Sequence, residues 1–178
     1  MTYLIFVLAV LTRLISNPHV PEFTPVFGAL LFSGARLRKR DAVWFPVTVL
    51  AVCDWFLTTQ VFHMSMKWEH SLTIVAFAAI ALIGQFLRSG VTAGRFATSV
   101  IAAPTAYFMI SNFGVWLGWG LYPHTWSGLV ACYVAALPYY RNSLLSTAAV
   151  AALLFGGQEL ILRKFHGKHF AAATARVS

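Results

Sequence analysis

The chain has 178 residues, of which 59% are hydrophobic and 10% charged, against about 25% charged in an ordinary soluble domain. Thirteen Lys and Arg against five Asp and Glu leave a formal charge of +8, spread between long stretches that carry no charge. These values exclude a disordered tail, a secreted disulfide scaffold and a soluble enzyme, and no soluble domain carries a basic stripe for nucleic acid. Cys53 and Cys132 both sit inside apolar runs, which suits neither a disulfide staple nor a zinc site.

A spanning helix needs roughly 17 to 25 apolar residues, because lipid offers no partner for an open backbone. The first run covers 1–16, broken only by Arg13; it lacks the basic start and small-residue cleavage site of a secretory signal. After the polar turn "NPHVPE", a short run covers 23–35, with Pro25 in its first turn, where proline is tolerated. The third covers 42–61 and contains Pro46, Cys53 and Asp54; the fourth covers 71–87. The fifth, 96–117, holds Pro104 as a kink candidate and Asn112 late in the segment. The stretch 127–137 is too short to cross alone and is closed by Pro138, so it reads as an interfacial or half-inserted helix. The last run is 143–162, followed by a basic tail at 163–178. The expectation is an all-α integral membrane protein, one transmembrane domain over 1–178 with six spans; crossing by 127–137 would make seven.

Positive charge sets the orientation. Arg36, Arg38, Lys39 and Arg40 crowd one turn, Arg88 and Arg95 bracket another, and Arg163, Lys164, Lys168 and Arg176 follow the last run. The lysine and arginine bias places these in the cytoplasm, giving an N-in, C-in protein.

An ionisable side chain inside a bilayer costs about 2.5 to 3.5 kcal/mol on insertion scales and marks a functional candidate. Arg13 and Asp54 each lie about 18 Å along helices that run outward, so they share a depth in the outer half. They read either as an ion pair fixing the first helix to the third or as part of an outward-facing polar cavity. The outer turns hold recognition groups: Asn17, His19 and Glu22; then His63, Lys67, Trp68, Glu69 and His70; then Asn112, Trp116, Trp119, Tyr122, His124 and Trp126. Aromatic bodies with polar tips suit a small-molecule pocket and equally an interfacial belt. The substrate-binding candidates are Arg13, Asn17, His19, Asp54, Asn112, Trp116, His124 and Trp126, with Trp55 and Phe113 as further walls. No histidine pair has helical ligand spacing, so no metal is expected. Glu159 reads as a local partner of Arg163 at i+4. No nucleophile elbow, zinc motif, phosphate loop or carboxylate pair is present, which points away from catalysis and from any cofactor.

The strings "RLISNPHVPEFTPVFGALLFSGARLRKR", "CDWFLT", "ISNFGVWLGWGLYPHTWSGLVACYVAALPYYRNSLLS" and "ALLFGG" resemble an uncharacterised bacterial family described as transport proteins. That family is similar to the substrate-binding (S) components of energy-coupling-factor vitamin transporters. The resemblance implies a six-helix bundle that holds a vitamin-like small molecule near the outer face, beneath the turns after helices one, three and five. It also implies an energising membrane/ATPase module as partner. S components dock through A-x-x-x-A on the first helix, whereas here Ala9 is followed four residues on by Arg13 and the small pair is Ala29 and Ser33 on the second helix. A solitary transporter is therefore the alternative, and some solitary relatives of this fold handle cobalamin with a cysteine on cobalt, a role Cys53 would fill. The rival from another class is a structural or assembly subunit whose buried charges lock helices together.

Overall fold

The computed structural model describes residues 2–14, 24–63, 65, 66, 68 and 70–174, and among these every regular element is helical. The order is α1 (Thr2–Leu11) with a 3₁₀ turn (Thr12–Leu14), α2 (Val26–Arg36), α3 (Asp41–Phe56) with a π-helical turn (Leu57–Val61), α4 (His70–Gln85), α5 (Ala93–Gly118) and α6 (Trp126–Thr174). Three of them are long and apolar enough to cross a membrane: Asp41–Val61, Ala93–Gly118 and Trp126–Leu162. The other three, with 10, 11 and 16 residues, fall short of the six full spans expected.

The shortfall has a packing reason. Every residue of Val26–Ala35 on α2 is buried, and α2 packs against each of the other five helices. At about 16 Å it reaches only half-way through a bilayer, as a central peg wrapped by longer neighbours. Small residues allow the approach. A Cβ on Gly84 of α4 would stand 2.6 Å from the Leu31 carbonyl oxygen, and one on Gly34 would run into the Ala81 carbonyl, so α2 and α4 cross backbone to backbone. Where Gly28 faces α6, a Cβ would lie 2.8 Å from that of Val150. Around α2 the core is completed by Phe6, Leu50, Phe77, Ile80, Ala103 and Ala151.

α6 corrects the reading of 127–137 as a separate interfacial helix. That segment and 143–162 belong to one continuous helix that runs straight through Pro138. Proline removes one backbone hydrogen bond, but opening the helix there would leave several N–H and C=O groups unpaired among apolar side chains, which is worse. The stretch Trp126–Leu162 is therefore a single candidate span, about 55 Å long, and not the two that the seven-span alternative needs. α5 likewise continues through Pro104; its start is capped by Thr92, whose hydroxyl accepts from the Arg95 N–H at 3.4 Å.

The basic turns gather at one end. Arg88 Nη1 donates to the Gly34 carbonyl at 3.0 Å, joining the α4–α5 turn to the end of α2. Arg36 lies over the Phe155 ring of α6 at 5.6 Å. Tyr3 at the start of α1 donates to Asp41 Oδ2 at 2.5 Å, which puts the N-terminus at this end too.

Candidate functional site

At the opposite end, α1 closes in the 3₁₀ turn that carries Arg13, and α3 carries Asp54 two residues before its last α-helical position. Arg13 Nη1 and Asp54 Oδ1 are 2.6 Å apart, and Asp54 is only 9% exposed. The shared depth expected from helix rise thus becomes a direct ion pair. Its guanidinium also lies over the ring of Phe77 on α4, 5.5 Å from the centroid, which supplies a quadrupole face where water is scarce. The π-helical turn begins three residues after Asp54, at Leu57, and the widened turns of such insertions recur beside functional groups.

Next to this pair a cavity of about 520 Å³ opens between α4, α5 and α6. Its lining runs from His70 at the first position of α4 and Trp119 and Leu121 after α5 to Pro104 and Ser143 further along α5 and α6. Tyr107, Phe108, Tyr139 and Tyr140 form most of the aromatic wall, with Thr73, Ser111 and Asn112 as polar points. Two residues link cavity and ion pair: Tyr107 is within electrostatic range of Arg13, and His70 of Asp54. Tyr107 also stacks on Phe77 and packs on Phe27 of the central peg, at 5.6 and 4.6 Å between centroids.

The polar groups have defined bonding. Asn112 Nδ2 donates to the Phe108 carbonyl at 2.8 Å, which leaves its carbonyl oxygen and second amide hydrogen for a ligand. Thr105 spends its one hydroxyl hydrogen on the Ile101 carbonyl at 2.7 Å, so in the 2.9 Å contact between hydroxyls it is Tyr140 that donates. This bond and that from Tyr133 OH to the Met109 carbonyl, 2.6 Å, clamp α5 against α6 along the cavity.

The candidates divide into groups. Arg13 and Asp54 form the pair behind the wall, and Asn112 lines the cavity. Trp116 donates from Nε1 to the Pro123 carbonyl at 3.0 Å and meets His124 edge-on at 5.4 Å, forming a cluster above the cavity and outside its lining. Trp126 is 79% exposed at the start of α6, and Trp55 and Phe113 also turn outward, at 51% and 43%. Asn17 and His19 lie outside the described residues. Cys53 is half-buried beside Asp54, and no group of three or more metal-ligating side chains occurs among the described residues. Tyr107, Phe108, Tyr139, Tyr140 and Ser143 escaped the sequence reading: Tyr139 and Tyr140 because 138–142 fell between two runs, the others because depth along a run does not give the face they occupy. Their signal is helical spacing: 104, 107, 108, 111, 112 and 115 on one helix, 136, 139, 140 and 143 on the other.

An all-helical bundle with an apolar outside, and with helices long enough to cross a membrane, is compatible with a membrane protein. The chain belongs to a family described as "Family of unknown function (DUF6580)", matched over residues 1–172. No curated protein and no solved structure matches it.

Proposed function

We propose that the protein is an integral component of the bacterial cytoplasmic membrane that binds a small, vitamin-like nutrient for uptake, in the manner of an S component. The observation that carries this reading is the α4–α5–α6 cavity. It has the volume of small-molecule sites, about 300 to 1,000 Å³, with apolar aromatic walls and a few placed polar groups. It lies in the half of the bundle away from the basic turns, which the lysine and arginine bias assigns to the cytoplasm, and so toward the side from which nutrients arrive. Large apolar side chains such as Leu153, Leu160 and Val134 on the outside suit lipid. The protein is no enzyme on this reading, and it works with an energising ATPase module or alone. Cys53 does not line the cavity, which weighs against a cobalt-ligand role there.

A second reading is favoured by a different observation. Tyr3–Asp41 and Arg13–Asp54 bracket α1 against α3 at both ends, as a structural subunit with locked helices would require. Mass spectrometry of compounds co-purifying with the protein separates the two. A stoichiometric small molecule supports uptake. Protein that purifies empty and gains no thermal stability from any member of a vitamin panel supports the structural role.

A further inference from the structure

We infer that the cavity takes a net-neutral, planar heterocycle with an amide-like edge, an inference that rests on the uptake reading above. Charge is the first reason. Among the described residues that line the cavity there is no Asp, Glu, Lys or Arg. Among the described residues, Arg13 and Asp54 beside the wall neutralise each other at 2.6 Å, and His70 in the lining lies within electrostatic range of Asp54. A ligand with a net charge would lose its hydration and gain no counter-ion, which costs far more than burying a hydrogen-bonded neutral group.

Shape is the second reason. Tyr107 and Phe108 on α5 and Tyr139 and Tyr140 on α6 line the same cavity, where the Phe108 and Tyr140 rings pack against one another at 4.9 Å. Rings held this way offer faces and edges to a flat ligand, where offset stacking and edge-to-face contact add to the area buried. A puckered polyol would leave these faces uncovered and its hydroxyls short of partners.

The third reason is the bonding left at Asn112. With one amide hydrogen committed to the Phe108 carbonyl, it offers a donor and an acceptor side by side. The complement of that pair is a lactam or carboxamide edge, which presents an acceptor and a donor in the reverse order. Asn112 is thus the specificity residue, and the tyrosines form the platform.

The test is equilibrium dialysis of the full chain in nanodiscs of zwitterionic lipid against five probes. Lumichrome and nicotinamide are neutral and planar with amide edges; thiamine is cationic, biotin anionic, and myo-inositol neutral but puckered. Saturable one-to-one binding is expected for lumichrome or nicotinamide, weakened roughly tenfold or more in Asn112→Leu, the scale of one lost hydrogen bond with its partner left unsatisfied. Tyr139→Leu, at a half-exposed position, should weaken it comparably and serves if Asn112→Leu does not fold. Saturable binding of thiamine, biotin or inositol that depends on Asn112 or Tyr139 overturns the neutral, planar inference and leaves uptake standing. Absence of binding by both planar probes also overturns it, while uptake then stands or falls on the co-purified compound.

Discussion

The ring of Tyr107 stacks on that of Phe77 with centroids 5.6 Å apart and planes 25° from parallel. Through that contact the cavity wall adjoins the aromatic face on which Arg13 rests. The cavity wall and the ion pair therefore belong to one packed unit.

The ion pair gives the first prediction. Removing one partner leaves a charge in a poorly hydrated place, so Arg13→Ala and Asp54→Ala should each cost about 3 to 5 kcal/mol. The double variant should cost clearly less than the sum of the two. Thermal denaturation in detergent reads this as a coupling in a double-mutant cycle. Strict additivity would mean that the two charges do not depend on one another.

Tyr107→Leu removes the rings' contacts with Phe27 and Phe77 together. At about 0.5 to 1.5 kcal/mol per aromatic pair beyond area burial, a loss of roughly 1 to 3 kcal/mol is expected. Tyr107→Phe should retain most of that stability, and comparing their unfolding midpoints checks it.

Pro138→Ala tests the continuity of α6. In a helix interior proline is about 3 kcal/mol less favourable than alanine, so the variant should melt at a higher temperature. A helix that truly ended at 137 would gain nothing, and an unchanged midpoint would restore the two-piece description.

Gly84→Leu should prevent accumulation of monodisperse protein, because the backbone of α2 already occupies the space. Gly156→Leu on α6, where a Cβ meets nothing within 4 Å, is the matched control. Size-exclusion profiles of the two variants should differ sharply.

For orientation, cysteines placed at Lys39 and Ser89 in a background lacking Cys53 and Cys132 should resist an impermeant reagent added from outside. One at Thr125 should react. Outside labelling at Lys39 would reverse the assignment of the basic end.

Much of this was legible in the sequence because charge and helix rise are local arithmetic. Arg13 and Asp54 could be set at one depth by counting residues, and the basic turns could be set at one end by counting lysines and arginines. What could not be read was rotation about each helix axis. Trp55 and Trp126 were natural cavity walls by depth, yet both turn outward, whereas Tyr107 and Tyr140 turn inward at similar hydrophobicity. Pro138 misled for another reason: its local preference to end a helix was outweighed by the need to keep neighbouring backbone groups paired. The brevity of α2 was visible as a run of 23–35, but its central position depends on five other helices and on Gly34 and Gly84 meeting, which no window of sequence contains.

The close seat of Gly28 against Val150 makes α6 a lever with its fulcrum in the core. Ser143, in the cavity floor, stands about 10 Å to one side of that contact, and Phe155, beneath Arg36, about 8 Å to the other. No proline interrupts the helix between them, so a tilt forced on the cavity arm must reappear, reversed in direction, at the basic end. Cavity floor and basic end are in this sense two arms of one uninterrupted helix, with Arg36 seated over the Phe155 ring on the second arm.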